Sequence, residues 1–173
     1  GSGPAAADEG APLPPSAPGR LAYSTGHWHG PEGGISVDAL GTIGLDGTDQ
    51  RVLTDPPGDG PAYGYDHSPQ WSPDGTWLAY SQARNTGGTY EDKVVAIPRD
   101  GGEPQVVDTD GYGPTWSPDG RFLAWVSYGE GGAGGSERLV GIADVVTTAS
   151  SIVITNRRTV KIPVGAEMVG RPR

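Results

Sequence analysis

The pentapeptide Trp-Ser-Pro-Asp-Gly occurs twice, at Trp71–Gly75 and Trp116–Gly120, with the two tryptophans 45 residues apart. A run of the same character follows each copy: Thr76-Trp77-Leu78-Ala79-Tyr80-Ser81 and Arg121-Phe122-Leu123-Ala124-Trp125-Val126-Ser127. Ser-Pro-Asp-Gly has the chemistry of a type I turn, with Ser first, Pro fixing φ, Asp third and Gly at the exit. Gly75 and Gly120 are expected to take the positive φ that a tight hairpin needs on leaving the turn. Asp74 and Asp119 therefore read as turn formers and not as catalytic carboxylates. The runs that follow are apolar at successive positions, the pattern of strands covered on both faces. A turn–strand unit recurring at this period marks a chain of stacked repeats, none of which buries its apolar face alone.

Aligning the chain with itself extends the repeat. Leu21-Ala22-Tyr23-Ser24, Leu78-Ala79-Tyr80-Ser81 and Leu123-Ala124-Trp125 occupy equivalent places as second strands. Ser16-Ala17-Pro18-Gly19-Arg20 is an eroded copy of the turn before the first of them. Third strands fall at Ile35–Leu45, Lys93–Ile97 and Arg138–Ala143, and fourth strands at Gln50–Thr54, Gln105–Val107 and Ser151–Thr155. Leu45-Asp46-Gly47 and Arg99-Asp100-Gly101 supply the hairpins between them. The 30 glycines and 17 prolines suit frequent turns and exclude long helices. The chain thus reads as all-β, with three four-stranded units of which the first lacks an innermost strand. No apolar run is long enough to span a membrane, and with no cysteine there is no disulfide, thiolate nucleophile or thiolate metal site.

The segments Ser68–Ser81 and Gly113–Trp125 resemble the WD40-like β-propeller repeat of TolB-type proteins, a repeat shared with the propeller domains of tricorn and prolyl-oligopeptidase-like peptidases. The likeness is specific over these two stretches and looser over residues 20–156. It implies β-propeller blades of four antiparallel strands across 20–156. It also implies an extracytoplasmic setting, in a bacterial cell envelope or a secreted protein. Residues 1–19, rich in Gly, Ala and Pro, cannot bury enough apolar surface to order themselves. Residues 157–173 carry five of the twelve basic side chains and form either a basic tail or a short closing strand, which Pro163 would confine to an edge. Three blades fall short of the four to eight that close a ring. Either the chain belongs to a longer propeller or two copies form a homodimer that completes a six-bladed ring.

Blade topology divides the connections between two rims. The Ser-Pro-Asp-Gly and Asp-Gly turns share one rim, and the opposite rim receives the long stretches Thr25–Gly34, Gln82–Asp92, Tyr128–Glu137 and Asp55–Gln70. Long loops on a rigid scaffold are where binding usually resides. Asp55–Gln70 reads as an insertion that presents Tyr63, Tyr65 and His67, residue types suited to a protein or peptide contact. His27, Trp28 and His29 join them on this face. In an extended segment His27 and His29 would point the same way, with Asp66 or Glu32 as an oxygen donor. The His-x-His pattern is weak, a packed surface loop is the simpler reading, and no metal is assigned.

Other chemistry lacks its residues. There is no Gly-x-Ser-x-Gly elbow, and Gly129–Gly135 lacks the Lys-Ser or Lys-Thr of a phosphate loop. Asp108-Thr109-Asp110-Gly111 lacks the further acids of a calcium loop and reads as a turn. Adjacent acids such as Glu91 and Asp92 read as solvated, with nothing to hold an acid–base geometry. A net charge of −9 argues against nucleic-acid binding. The sequence reading is a non-enzymatic module with no cofactor, binding a protein or peptide through Tyr63, Tyr65, His67, His27, Trp28 and His29. The alternative, from the same resemblance, is the substrate-filtering propeller segment of a serine peptidase whose catalytic domain lies elsewhere.

Overall fold

The turn pentapeptides fold as their chemistry dictates. In a computed structural model, which describes residues 19–29, 35–56, 62–129 and 137–161 (the side chains of 27–29, 35–37 and 62 excepted), Gly75 and Gly120 have φ of +68° and +71°. The Gly75 N–H donates to Ser72 O at 2.8 Å and the Gly120 N–H to Ser117 O at 2.9 Å. Each serine hydroxyl donates to the turn aspartate at 2.6 Å and accepts the N–H of the first strand residue, Trp77 or Phe122, at 2.9 Å. Asp74 and Asp119 also accept the N–H groups of Thr76 and Arg121. The serine and aspartate side chains of the motif are thus bonded within the turn, and the aspartates are turn formers.

Strands fill most of the described residues, and no helix occurs among them. A first group comprises β1 (Arg20–His29), β2 (Ile35–Gly44) and the short β3 (Arg51–Val52). A middle group comprises β4 (Ala62–Trp71), β5 (Trp77–Thr86), β6 (Thr89–Pro98) and β7 (Gln105–Asp108). A last group comprises β8 (Gly111–Trp116), β9 (Phe122–Tyr128), β10 (Arg138–Thr147) and β11 (Ile152–Lys161). The middle and last groups are antiparallel meanders, each strand paired with the next in sequence. The first group joins the middle one into a seven-stranded sheet through parallel pairing of β2 with β4, Asp38 opposite Tyr65. The last group is a separate four-stranded sheet, and neither sheet closes on itself.

The strand boundaries correct several loop expectations. Residues 62–70 of the expected Asp55–Gln70 insertion belong to β4, the inner partner of β5. Gln82–Asp92 is not a loop but the end of β5, the start of β6 and a two-residue turn. Both turn residues, Gly87 and Gly88, have positive φ, +67° and +99°, as a two-residue hairpin of matching twist demands. Thr25–His29 likewise continues β1. These segments are polar because the strands run past the core, and polarity at a strand end resembles polarity in a loop. β11 continues through Asn156, which has φ +50° beside a register shift, so residues 157–161 are strand paired with β10. Residues 1–18 and 162–173 lie outside the described residues.

A shared irregularity confirms that β4 and β8 are equivalent. Each slips register against its partner, between His67 and Gln70 and between Tyr112 and Thr115. At each slip a residue of positive φ, Ser68 (+55°) or Gly113 (+65°), precedes a proline. Proline cannot donate to a ladder, so a bulge is where a strand accommodates it.

Packing explains the apolar runs. Trp77 and Ala79 point from β5 to one side, where with Val94, Ala96 and Val107 they meet Leu123, Trp125, Ala143, Val145 and Ile152 of the last sheet. Leu78 and Tyr80 point to the other side and pack with Val95, Ile97, Ala22, Leu40, Leu53 and Trp71. The middle meander is therefore sandwiched, with a core on each face, and every position of Trp77–Tyr80 is fully buried. Among the described residues no helix is long and apolar enough to cross a membrane.

Candidate functional site

At the rim opposite the Ser-Pro-Asp-Gly turns, five of the seven tyrosines converge. Pairing places Tyr63 opposite Asn85 and Tyr65 opposite Ala83, on the face of the middle meander that looks toward the last sheet. Tyr90, opposite Asn85 on β6, and Asp92, opposite Ala83, share that face. The Tyr63 and Tyr65 rings meet edge to face with centroids 5.6 Å apart. Across the seam between the sheets, Tyr112 of β8 and Tyr128 of β9 pair at 5.5 Å. The Tyr128 hydroxyl closes the seam by donating to Asp92 Oδ2, and lower down the Gly113 N–H donates to Ser81 Oγ at 2.8 Å. The Arg138 guanidinium lies over the Tyr128 ring, 4.7 Å from its centroid.

The electrostatics of this seam follow from burial beside anions. Burial and the Asp92 carboxylate push the Tyr90 hydroxyl up to about 12, and the neighbouring Tyr63 and Tyr65 add to the shift. Burial followed by the hydrogen bond to Asp92 raises Tyr128, and burial followed by Tyr63 and Asp38 raises Tyr65. Asp110 is raised by burial and by repulsion from Asp108 and Asp92. Tyr65, Tyr90 and Tyr128 are therefore neutral hydroxyls at physiological pH, able to donate and to present their rings.

One ion pair holds the site from beneath. Asp66 of β4 is fully buried, and its Oδ1 lies 2.7 Å from Arg84 Nη1 of β5. Arg84 also donates to its neighbour Ala83 O at 2.8 Å. The guanidinium reaches Asp66 by lying across Gly64, where a Cβ would stand 2.8 Å from Nη1 and 2.9 Å from Cδ. The absence of a side chain at 64 is what lets Arg84 cross the strand. Asp66 is thus bound to an arginine and not free to serve as a metal donor.

The expected residues divide by their placement. Tyr63 and Tyr65 belong to the tyrosine seam, though as strand residues. His67 lies on the same face of β4, half-buried, with Nδ1 3.0 Å from the hydroxyl of Ser68. His27, Trp28 and His29 are in β1, two strands removed from β4; their side chains, like Glu32, lie outside the described residues. Among the described residues no three histidine, aspartate or glutamate side chains gather in a way that could hold a metal ion. Tyr90, Asp92, Tyr112, Tyr128 and Arg138 were missed by sequence reasoning. Asp92 departs most from expectation: its neighbour Glu91 is solvated and paired with Lys93 at 2.8 Å, but Asp92 itself is buried. The usable signal was tyrosine at strand ends on the rim away from the turns.

The opposite rim contains a cleft of about 360 Å³ lined by Gly19, Arg20, Leu45, Asp46, Asp49 and Arg99 among others. Its polar groups already satisfy one another: Arg20 pairs with Asp49, and Asp46 accepts both the N–H and the hydroxyl of Thr48. No family model matches the chain, and no curated protein matches it in sequence. The fold defines the class as far as an all-β protein of stacked antiparallel meanders.

Proposed function

We propose that this chain is a non-enzymatic β-propeller module that binds a protein or peptide through its tyrosine-lined rim. The observation that carries the reading is the convergence of Tyr63, Tyr65, Tyr90, Tyr112 and Tyr128 from four strands. Tyrosine brings large contact area at small conformational cost together with a hydroxyl, which is why it is enriched where proteins meet. The propeller reading draws support from the two equivalent meanders, their matching bulges and the sandwiching of one between its neighbours. The stack also ends in outward apolar faces. Leu21 and Val52 stand exposed at one end, and Val146, Val153 and Val160 at the other, the composition of a surface made to meet another blade. A homodimer of two copies, forming a six-bladed ring, would cover both ends. An extracytoplasmic bacterial location rests on the TolB-like resemblance.

Selection from a displayed random-peptide library tests the binding role. Peptides selected by the wild-type protein are expected to lose about tenfold or more in affinity against Tyr65→Ala and Tyr112→Ala, and to bind Asp119→Ala unchanged. Binders indifferent to both tyrosine substitutions, or no binders, would overturn it. For the ring, a solution mass of twice the chain mass is expected; a stable monomer rules out the homodimer.

A further inference from the structure

Resting on that reading of the rim, we propose that the seam between the middle and last sheets binds a cationic side chain, so that the partner presents an arginine- or lysine-bearing peptide segment. Three independent features converge on a cation. The first is aromatic: the rings of Tyr63, Tyr65 and Tyr90 stand together on one side of the seam, and ring faces attract guanidinium and ammonium groups. The second is anionic: Asp92 is buried beside Tyr90 and Tyr128, Asp110 lies close enough to feel its charge, and neither belongs to any ion pair found among the described residues. Asp108 and Asp92 repel the charge of Asp110 there, and an arriving cation relieves that repulsion. The third is a precedent within the molecule. Arg138 already lies on the Tyr128 ring at 4.7 Å, so this rim holds one guanidinium of the chain's own by the contact proposed for the partner's.

The remaining charges do not compete. Arg84 is committed to Asp66, Lys93 to Glu91, and Arg157 lies 3.9 Å from Asp108. The net charge of −9 favours approach of a basic segment over an acidic one. Within the seam, Asp92 sets the charge, and Tyr128 fixes its orientation by donating to one oxygen.

The test uses capped Gly-Arg-Gly-Arg-Gly, its lysine counterpart and its citrulline counterpart, which keeps the shape of arginine without the charge. Calorimetric titration of the whole chain is expected to show the arginine peptide binding at least tenfold more tightly than the citrulline peptide, with affinity falling as salt rises. The lysine peptide reports whether the seam favours a planar guanidinium or charge alone. Asp92→Asn should abolish the difference between arginine and citrulline. Because Asp92 is buried, Tyr90→Ala, at an exposed ring, serves as a second variant and should weaken the arginine peptide severalfold. Equal binding of arginine and citrulline peptides, or arginine binding untouched by both variants, overturns the proposal. If library peptides still bind in a Tyr65-dependent way while the basic peptide does not, the cation inference alone fails. If nothing binds the rim, the proposed function fails with it.

Discussion

The two rims of this stack are made of similar residue types and put them to opposite use. On the turn rim, Ser72, Asp74, Ser117 and Asp119 close their hydrogen bonds within five residues, and what remains ties the sheets together. Trp77 Nε1–H donates to Thr148 O at 2.8 Å, and the Gln105 side chain bonds both Ser150 O and the Ile152 N–H at 3.0 Å. On the tyrosine rim, hydroxyls, rings and carboxylates from strands of both sheets stand side by side with few internal partners. Chemistry that is locally complete builds scaffold, and chemistry assembled only by tertiary packing is left facing outward. The comparison assigns stability to one rim and recognition to the other.

Substitutions can break that assignment. The largest loss of stability is expected for Trp77→Ala, which removes a fully buried indole and its bond to the next sheet. Urea denaturation should show about 3–5 kcal/mol, and a loss under about 1 kcal/mol would deny the turn rim its structural role. Next comes Asp66→Ala, which strands the Arg84 guanidinium beneath the tyrosines and is expected to cost about 3 kcal/mol. This pair anchors β4 to β5 beneath the tyrosine rim, so a neutral result would mean that β4 is held by other means. Ser72→Ala follows at about 1–2 kcal/mol, exceeding Ser117→Ala, because Ser72 is the more buried of the two equivalent hydroxyls.

A pH effect comes fourth. Hydrogen bonds from Ser117 and the Arg121 N–H hold Asp119 below its ordinary 3.8. For Asp74, burial opposes the same kind of lowering, and the bonds from Ser72 and Thr76 outweigh it. Groups with depressed folded-state values stabilise above their unfolded value and lose that contribution as pH falls through the folded value. Thermal midpoints should therefore decline below about pH 4, and less steeply in Asp119→Asn. The smallest stability effect, within about 0.5 kcal/mol, is expected for Tyr90→Ala at its exposed ring; a large one would make the tyrosine rim part of the scaffold.

Legibility in the sequence followed the same divide. The turns could be read because their chemistry is contiguous: Ser, Asp and Gly act on one another across five positions. The two-faced burial of Trp77–Tyr80 could be read because a strand's side-chain period is fixed. The tyrosine seam could be read only in part. Tyr63 and Tyr65 stood out as neighbours in a polar stretch, whereas Tyr90, Tyr112 and Tyr128 belong to three other strands and meet them only through sheet pairing and stacking. The Gly87-Gly88 hairpin reads as a long loop in the sequence because polar strand ends beyond a core carry the composition of loops. Burial of Asp92 beside solvated Glu91 follows from strand alternation, which assigns adjacent residues to opposite faces.

The division of labour between the rims is tested most directly by mapping where a selected peptide binds, using amide and ring resonances of the labelled protein during titration. The account predicts perturbations concentrated at Tyr63, Tyr65, Tyr90, Tyr112 and Tyr128, with Ser72–Trp77 and Ser117–Phe122 unmoved. Perturbations centred on the turns, with the tyrosine rings silent, would contradict it.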